Sequence, residues 1–362
     1  MARDDVARLA RLRGASQLLH RPNAVRHPAD VARLAGPIQA QEPRAAKLAF
    51  RARARGLTAA EVDRARTEER SLLRAWMMRK TVHLIPSEDA GWLLPLFSEQ
   101  IVRWSRKRLN DFGLDPVGQD RAMAVLHAAV ASEGALTRPE LAERLESAGF
   151  ETGNEFKVHL WLLATLDGEL CLGPDRGGQT CLVSTKEWLG ELQRRPREDS
   201  LAELARRYLR AYGPASERDF ARWAGLPLRD TSVGLGRIAG ELEAVTIDGE
   251  SLLVLGKAPR ASRRPVVRLL GAYDNFNLGY ESRDFYLPPE QARQVVPGGG
   301  IVRPTITVDG VIVGTWSSKR AGKRLAVTLE PFADLDPEWT PSLEAEAADI
   351  GRFEGLDIRL TG

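Results

Sequence analysis

GPASERDFARWAGL, residues 213–226, sets a serine at the head of a short amphipathic run and an aspartate three residues later. At that spacing a hydroxyl and a carboxylate each accept the other residue's backbone N–H, so Ser216 and Asp219 predict a helix start. GALTRPELAERL (134–145) repeats the pattern with Thr137 and Glu140. A second helical stretch follows each copy, NEFKVHLWLLATLDG (154–168) and TSVGLGRIAGEL (231–242). Strand–turn–strand sequences come next, LCLGPDRGGQTCLV (170–183) and LEAVTIDGESLLVL (242–255). Helix–turn–helix closed by a β-hairpin is the order of a winged helix.

A third copy lies nearer the N-terminus, where HPADVARLAG (27–36) aligns with SERDFARWAG (216–225). VARLARLRGASQLL (6–19) precedes it, EPRAAKLAFRARARG (42–56) follows it, and SLLRAWMMRKTVHLIP (71–86) supplies its wing. Beyond residue 264 the pattern turns to strands. RPTITVDGVIVGTWSS (303–318) alternates around Asp309-Gly310, a two-residue hairpin turn, and SSKRAGKR (317–324) turns again into LAVTLEPF (325–332). LPPEQARQVVPGGG (287–300) reads as a helix or loop closed by glycines. The expected architecture is α+β, with winged-helix modules at 1–110, 111–195 and 196–260 and a β-rich region at 261–362.

The 362 residues suit several compact modules, and 43% hydrophobic with 28% charged residues is globular composition. The sequence has no apolar run long enough to span a bilayer, and MARDDVARLARLRG lacks the apolar core of a secretory signal. Cys171 and Cys181 flank a turn and read as a reduced cross-strand pair, which implies a cytoplasmic setting. The net charge of +3 hides +11 over residues 1–110 and −6 over residues 331–362. A basic half points to a polyanionic partner; an arginine-rich solvated surface, with 44 Arg against 8 Lys, is the other reading.

Phosphate-loop, dinucleotide and HExxH zinc motifs do not occur, so neither a metal nor a cofactor is expected. Five histidines are scattered through the chain. His127 and His159 fall on apolar helical stretches and read as structural. His83 sits on the first wing beside Arg79 and Lys80, where it is either satisfied within the strand or faces nucleic acid.

GPIQAQEPRAAKLAF (36–50) replaces a tight turn with a segment bracketed by Pro37 and Pro43, which exclude regular helix there. In extended chain, residues two apart point the same way, so Gln39 and Gln41 face one side and Ile38 with Ala40 the other. An amide donates and accepts hydrogen bonds but is not an efficient general base. Two convergent amides suit a reaction whose leaving group departs easily; a solvated loop is the plain alternative.

GPIQAQEPRAAKLAF, LLRAWMMRKTVHLIP, LLGAYDNFNLGY and GIVRPTITVDGVIVGTWSSKR, in that order, resemble the winged-helix DNA glycosylases typified by AlkZ and YcaQ. The resemblance spans nearly the whole chain. It implies tandem winged helices around a DNA-sized channel and hydrolysis of the N-glycosidic bond of alkylated purines, including interstrand crosslinks. The family motif in this loop is Gln-x-Gln or Gln-x-Asp, and the glutamine form resembles the branch that guards against natural-product alkylating agents.

On that resemblance Gln39 and Gln41 are the expected catalytic pair, positioning water and stabilising an oxocarbenium ion. An N7-alkylated guanine is cationic and leaves as a neutral base, so no general acid is needed. Expected DNA contacts are Arg79, Lys80 and His83 on the first wing, and Lys319, Arg320, Lys323 and Arg324 at the tip of a hairpin that the family pushes into DNA. Trp316 is either a strand-core residue or a wedge. Lys47, the only lysine within ten residues of the glutamines, falls on the following helix, so lyase chemistry is not expected. The implied enzyme is a monofunctional, cytoplasmic, nucleoid-associated monomer acting on double-stranded DNA. Two other classes are a non-enzymatic winged-helix regulator, usually a dimer on a palindrome, and a protein that sequesters the alkylating drug itself.

Overall fold

The computed structural model describes residues 3–21, 25–150, 153–262 and 264–361. The chain divides into two compact units, Met1–Asp63 with Leu201–Gly362, and Arg64–Ser200. The division cuts the first expected module after residue 63, so its helices belong to one unit and its strand pair to the other.

In the unit 64–200, strands Leu72–Met77 and Thr81–Pro86 pair antiparallel. The chain turns between them through Arg79 and Lys80, both in the left-handed region at φ 53° and 62°. Helix Pro95–Asp111, which no motif announced, leads to helix Pro116–Glu133 and then to the capped repeat. Thr137 donates its N–H to Glu140 Oε2 at 2.7 Å and opens helix Arg138–Ser147, as the capping-box spacing predicts. Helix Asn154–Ala164 and the hairpin Leu170–Arg176 with Gln179–Ser184 complete the sequence. Leu126, Leu141, Leu145, Leu160, Trp161 and Leu182 pack its apolar core.

The two cysteines are free and buried, but they do not sit opposite one another: Cys171 pairs with Val183. Arg176 opposite Gln179 across the turn already sets Cys171 opposite Ser184 by count, and the register shift between Leu172 and Asp175 moves it by one, to Val183. Burial pushes the Cys171 thiol up to about 12.

The other unit carries the second capped repeat. Ser216 N–H donates to Asp219 Oδ2 at 3.0 Å and Asp219 N–H to Ser216 Oγ at 3.1 Å, opening helix Glu217–Ala224. Helix Leu228–Arg237 and the hairpin Leu242–Ile247 with Glu250–Leu255 follow. In the N-terminal segment helices Arg3–Ser16, Pro28–Ala35 and Pro43–Arg53 take the same order, with His27 capping in place of the hydroxyl.

A five-stranded sheet dominates the C-terminal part, in the order Asp357–Thr361, Arg324–Pro331, Val311–Ala321, Thr305–Val308, Val267–Leu270. Asp309 at φ 52° and Gly310 at φ 82° make the tight hairpin between its middle strands, the conformation that favours an Asp-Gly turn. The last strand, Asp357–Thr361, pairs parallel to Arg324–Pro331 after the crossover helix Thr340–Glu354.

That helix explains much of the charge asymmetry. Arg51 is fully buried, and its Nη1 meets Glu346 Oε2 and Asp349 Oδ2, each at 3.1 Å. Arg21 reaches the same two carboxylates at 2.8 and 3.1 Å, and Arg44 clasps Glu354 at 2.6 and 3.1 Å. Burial alone would raise the Glu346 carboxyl, but Arg51, Arg21 and Arg268 hold it below the usual range. The basic N-terminal segment and the acidic C-terminal one are thus in part each other's partners.

Candidate active site

Between helices Pro28–Ala35 and Pro43–Arg53 the chain runs extended, and burial alternates along it. Ile38 and Ala40 are buried, Gln39 is half-buried and Gln41 is exposed. Gly36 begins the run at φ 83°, its Cα over the rings of Trp223 and Tyr212. Glu42 ends it as the cap of the next helix, its carboxylate accepting from Arg44 N–H at 3.1 Å and Ala45 N–H at 2.5 Å. Glu42 is therefore occupied in holding the helix, while the adjacent Gln41 stands at its mouth.

The loop rests on the segment Gly271–Tyr280, more than two hundred residues away. Tyr273 turns the chain at φ 55°, and Asp274 caps the short helix Asn275–Leu278 through Phe276 N–H at 2.9 Å. Asn275, 3% exposed, donates from Nδ2 to Pro37 O at 2.9 Å and to Ala35 O at 3.4 Å. Its Oδ1 accepts from Gln39 N–H at 3.4 Å. Beneath it Arg53 pairs with Asp274 and donates to Gln17 Oε1 at 2.8 Å, while Gln17 Nε2 donates to Ala35 O at 3.1 Å and Ala211 O at 2.7 Å. Burial opposes the Arg53 charge, yet the charge and hydrogen bonds of Asp274 hold its proton more tightly than usual.

Aromatic packing seats this segment. Gly279 lies so close to Tyr212 that a Cβ would come within 2.3 Å of its ring. Tyr280 donates its hydroxyl to Tyr212 O at 3.1 Å, and the Arg13 guanidinium lies 3.9 Å from the Tyr280 ring centroid. Gly271 fits against Ala45 and Leu48 of the loop helix. The LLGAYDNFNLGY stretch is thus the loop's foundation.

Residues 31–353 match the family model described as DNA glycosylase AlkZ-like. The chain belongs to the AlkZ-like DNA glycosylase family. It is 30% identical over 308 residues to an interstrand DNA cross-link repair glycosylase of Streptomyces sahachiroi, covering 79% of this chain and 80% of that one. Its fold matches the solved structure of the Streptomyces sahachiroi DNA glycosylase AlkZ with a TM-score of 0.77, at 25% identity and 98% coverage of both chains.

Against this AlkZ-like frame the other expected site residues separate. Lys319, Arg320, Lys323 and Arg324 are all exposed around the turn at Gly322, φ 59°. Among the described residues none of the four makes an ion pair, and Arg320 Nε donates to Gly322 O at 3.0 Å. Trp316 is a core residue, 2% exposed, with its indole N–H on Leu270 O at 2.8 Å. A cleft of about 520 Å³ opens between the loop helix and this hairpin, lined by Glu42, Arg44, Lys47, Ser318, Arg320 and Glu354.

On the strand pair Leu72–Pro86, Arg79 and Lys80 are half-buried, and Lys80 Nζ lies 4.4 Å from the Trp104 ring centroid. His83 is a correction. The ring is 2% exposed with Nδ1 at 3.2 Å from Thr81 O, so it is enclosed in the fold and has no surface to offer DNA. Burial, reinforced by the Arg79 charge, pushes its pKa down to about 3.

Among the described residues no group of three His, Cys, Asp or Glu could hold a metal, and no helix is long and apolar enough to cross a membrane.

Proposed function

We propose that this protein is a monofunctional DNA glycosylase that hydrolyses the N-glycosidic bond of N7-alkylated guanines, bulky adducts and crosslinked bases among them. The observation that carries the reading is the pair Gln39 and Gln41 on an extended loop held from beneath by Asn275 in an AlkZ-like chain. Water adds to C1′ as the N9–C1′ bond breaks. The alkylated base, cationic at the start, leaves as a neutral molecule, and the water proton passes to solvent. The amides orient that water and donate or accept around the oxocarbenium ion, and they take up no proton.

Lys47, the amine nearest the loop in sequence, is ion-paired with Asp63 at 2.6 Å, which supports hydrolysis over Schiff-base chemistry. We read the three helix-and-hairpin runs as winged helices that grip double-stranded DNA, with the hairpin tip at 319–324 meeting phosphates near the lesion. The functional form on this reading is a monomer in the cytoplasm, at the nucleoid.

A duplex with one N7-methylguanine tests it. Free N7-methylguanine should be released, and the strand should stay intact until alkali is added. Spontaneous strand cleavage would overturn the monofunctional assignment. Tight binding to one undamaged consensus sequence without base release would favour a regulator.

A further inference from the structure

We propose that Asn275 is the positioning residue of the Gln39–Gln41 loop, setting the height and tilt at which the two amides meet the substrate. The inference rests on the reading of those glutamines as catalytic. Asn275 is 3% exposed and reaches across 238 residues to Pro37 O and across 236 to Gln39 N–H, so one amide holds the loop on both sides of Ile38. Its orientation follows from chemistry. Two carbonyls, of Ala35 and Pro37, face the Nδ2 donor and one N–H faces Oδ1; a flipped amide would set oxygen against oxygen.

Neither Pro37 nor Pro43 has a backbone N–H to donate, one at each end of the loop. The Asn275 amide adds side-chain hydrogen bonds to this segment from outside it. The brace is itself fixed, because Asp274 is locked by Arg53 and Asn277 donates to Thr305 Oγ1 at 3.2 Å. Misplacing a reacting group by about 1 Å costs on the order of 100-fold in rate, so a brace of this kind is felt in catalysis before it is felt in binding.

Single-turnover base release from the N7-methylguanine duplex is the readout, with duplex affinity and melting temperature measured alongside. Asn275→Ala should slow release by roughly 100-fold while binding stays within a few-fold. In a Gln39→Ala, Gln41→Ala background the same change should add less than about 3-fold, since a brace has nothing left to position.

Asn275→Asp provides a signature that lost stability would not. A protonated carboxyl can still donate to Pro37 O and accept from Gln39 N–H; an ionised one keeps the acceptor but turns a bare oxygen toward Pro37 O. The charged groups packed nearby, Arg53 and Asp274, neutralise each other, with Tyr212 and Tyr280 beside them. Release by this variant, relative to wild type, should therefore recover as pH falls through the buried carboxyl's raised pKa. A wild-type rate in Asn275→Ala with slow glutamine variants would overturn this proposal alone. So would a full additional loss in the glutamine-free background, or an Asn275→Asp ratio that does not change with pH. Wild-type rates in the glutamine variants would overturn the catalytic reading and this proposal with it.

Discussion

Arg53 and Asp274, 221 residues apart, meet as a two-pronged ion pair with no solvent exposure on either side chain, at 2.7 and 2.9 Å. The pair lies beneath the Gln-x-Gln loop and joins its following helix to the segment that braces it. Removing one partner leaves the other charged, buried and alone. Asp274→Asn is expected to cost about 3–5 kcal/mol of unfolding free energy, read from urea denaturation. Replacing both residues with apolar ones should cost less than the single change.

Gln39→Ala and Gln41→Ala should each lower single-turnover release by roughly 10²–10³-fold, the size of one lost transition-state hydrogen-bond donor. Duplex affinity and melting temperature should stay near wild type, because Gln41 is exposed and Gln39 is held through its backbone. A double variant that releases base at the wild-type rate would reduce the loop to a linker.

The hairpin tip at 319–324 offers a cleaner test of DNA contact than Arg79 and Lys80, which are half-buried. Changing Lys319, Arg320, Lys323 and Arg324 to serine leaves Ser318, which accepts from Arg44 Nη1 at 3.0 Å, in place. Melting temperature should move by only a few degrees. Each phosphate contact adds about 0.9 to the slope of log affinity against log salt, so the slope should flatten by up to about 3–4. Release should slow most for bulky or crosslinked lesions; unchanged slope and rates would make the tip a solvated turn.

His83 predicts a pH dependence of stability. Its folded pKa, pushed down to about 3, lies below the unfolded value near 6.5. The unfolded chain therefore takes up a proton first as pH falls. The buried neutral ring contributes its full stability above about pH 6.5 and loses up to about 1.4 kcal/mol per pH unit down to the folded value. His83→Gln should remove that part of the slope when unfolding free energies of the two proteins are compared between pH 7 and 4.

What the sequence revealed was chemistry confined to a few neighbouring residues. Thr137 with Glu140 and Ser216 with Asp219 are three apart, and Asp309-Gly310 makes its turn within itself, so spacing and geometry are the same statement. The same spacing stands at Thr58, whose N–H meets Glu61 Oε2 at 2.7 Å to open helix Ala59–Thr67. Helix Thr340–Glu354 buries Leu343, Ala347 and Ile350 at helical spacing, so its apolar face is legible beside its acidic residues. Asn275 gave no local signal, because a buried asparagine and an exposed one are spelled alike and its partners lie 236 or more residues away. For His83, both faces of the strand Thr81–Pro86 are covered, so alternation could not say which way the ring pointed.

The parallel strand at the C-terminus changes what kind of object the basic hairpin is. Arg324–Thr328 is paired on one side with the partner strand and on the other with Asp357–Thr361, all the way to the turn. The hairpin is thus a splinted blade and not a loose finger: to bend away from an obstacle it would have to peel two rows of hydrogen bonds at once. A splinted blade keeps its shape and leaves the yielding to whatever it meets. Trimming the last five described residues, distant in sequence from the tip, would remove the splint and blunt the blade without touching its edge.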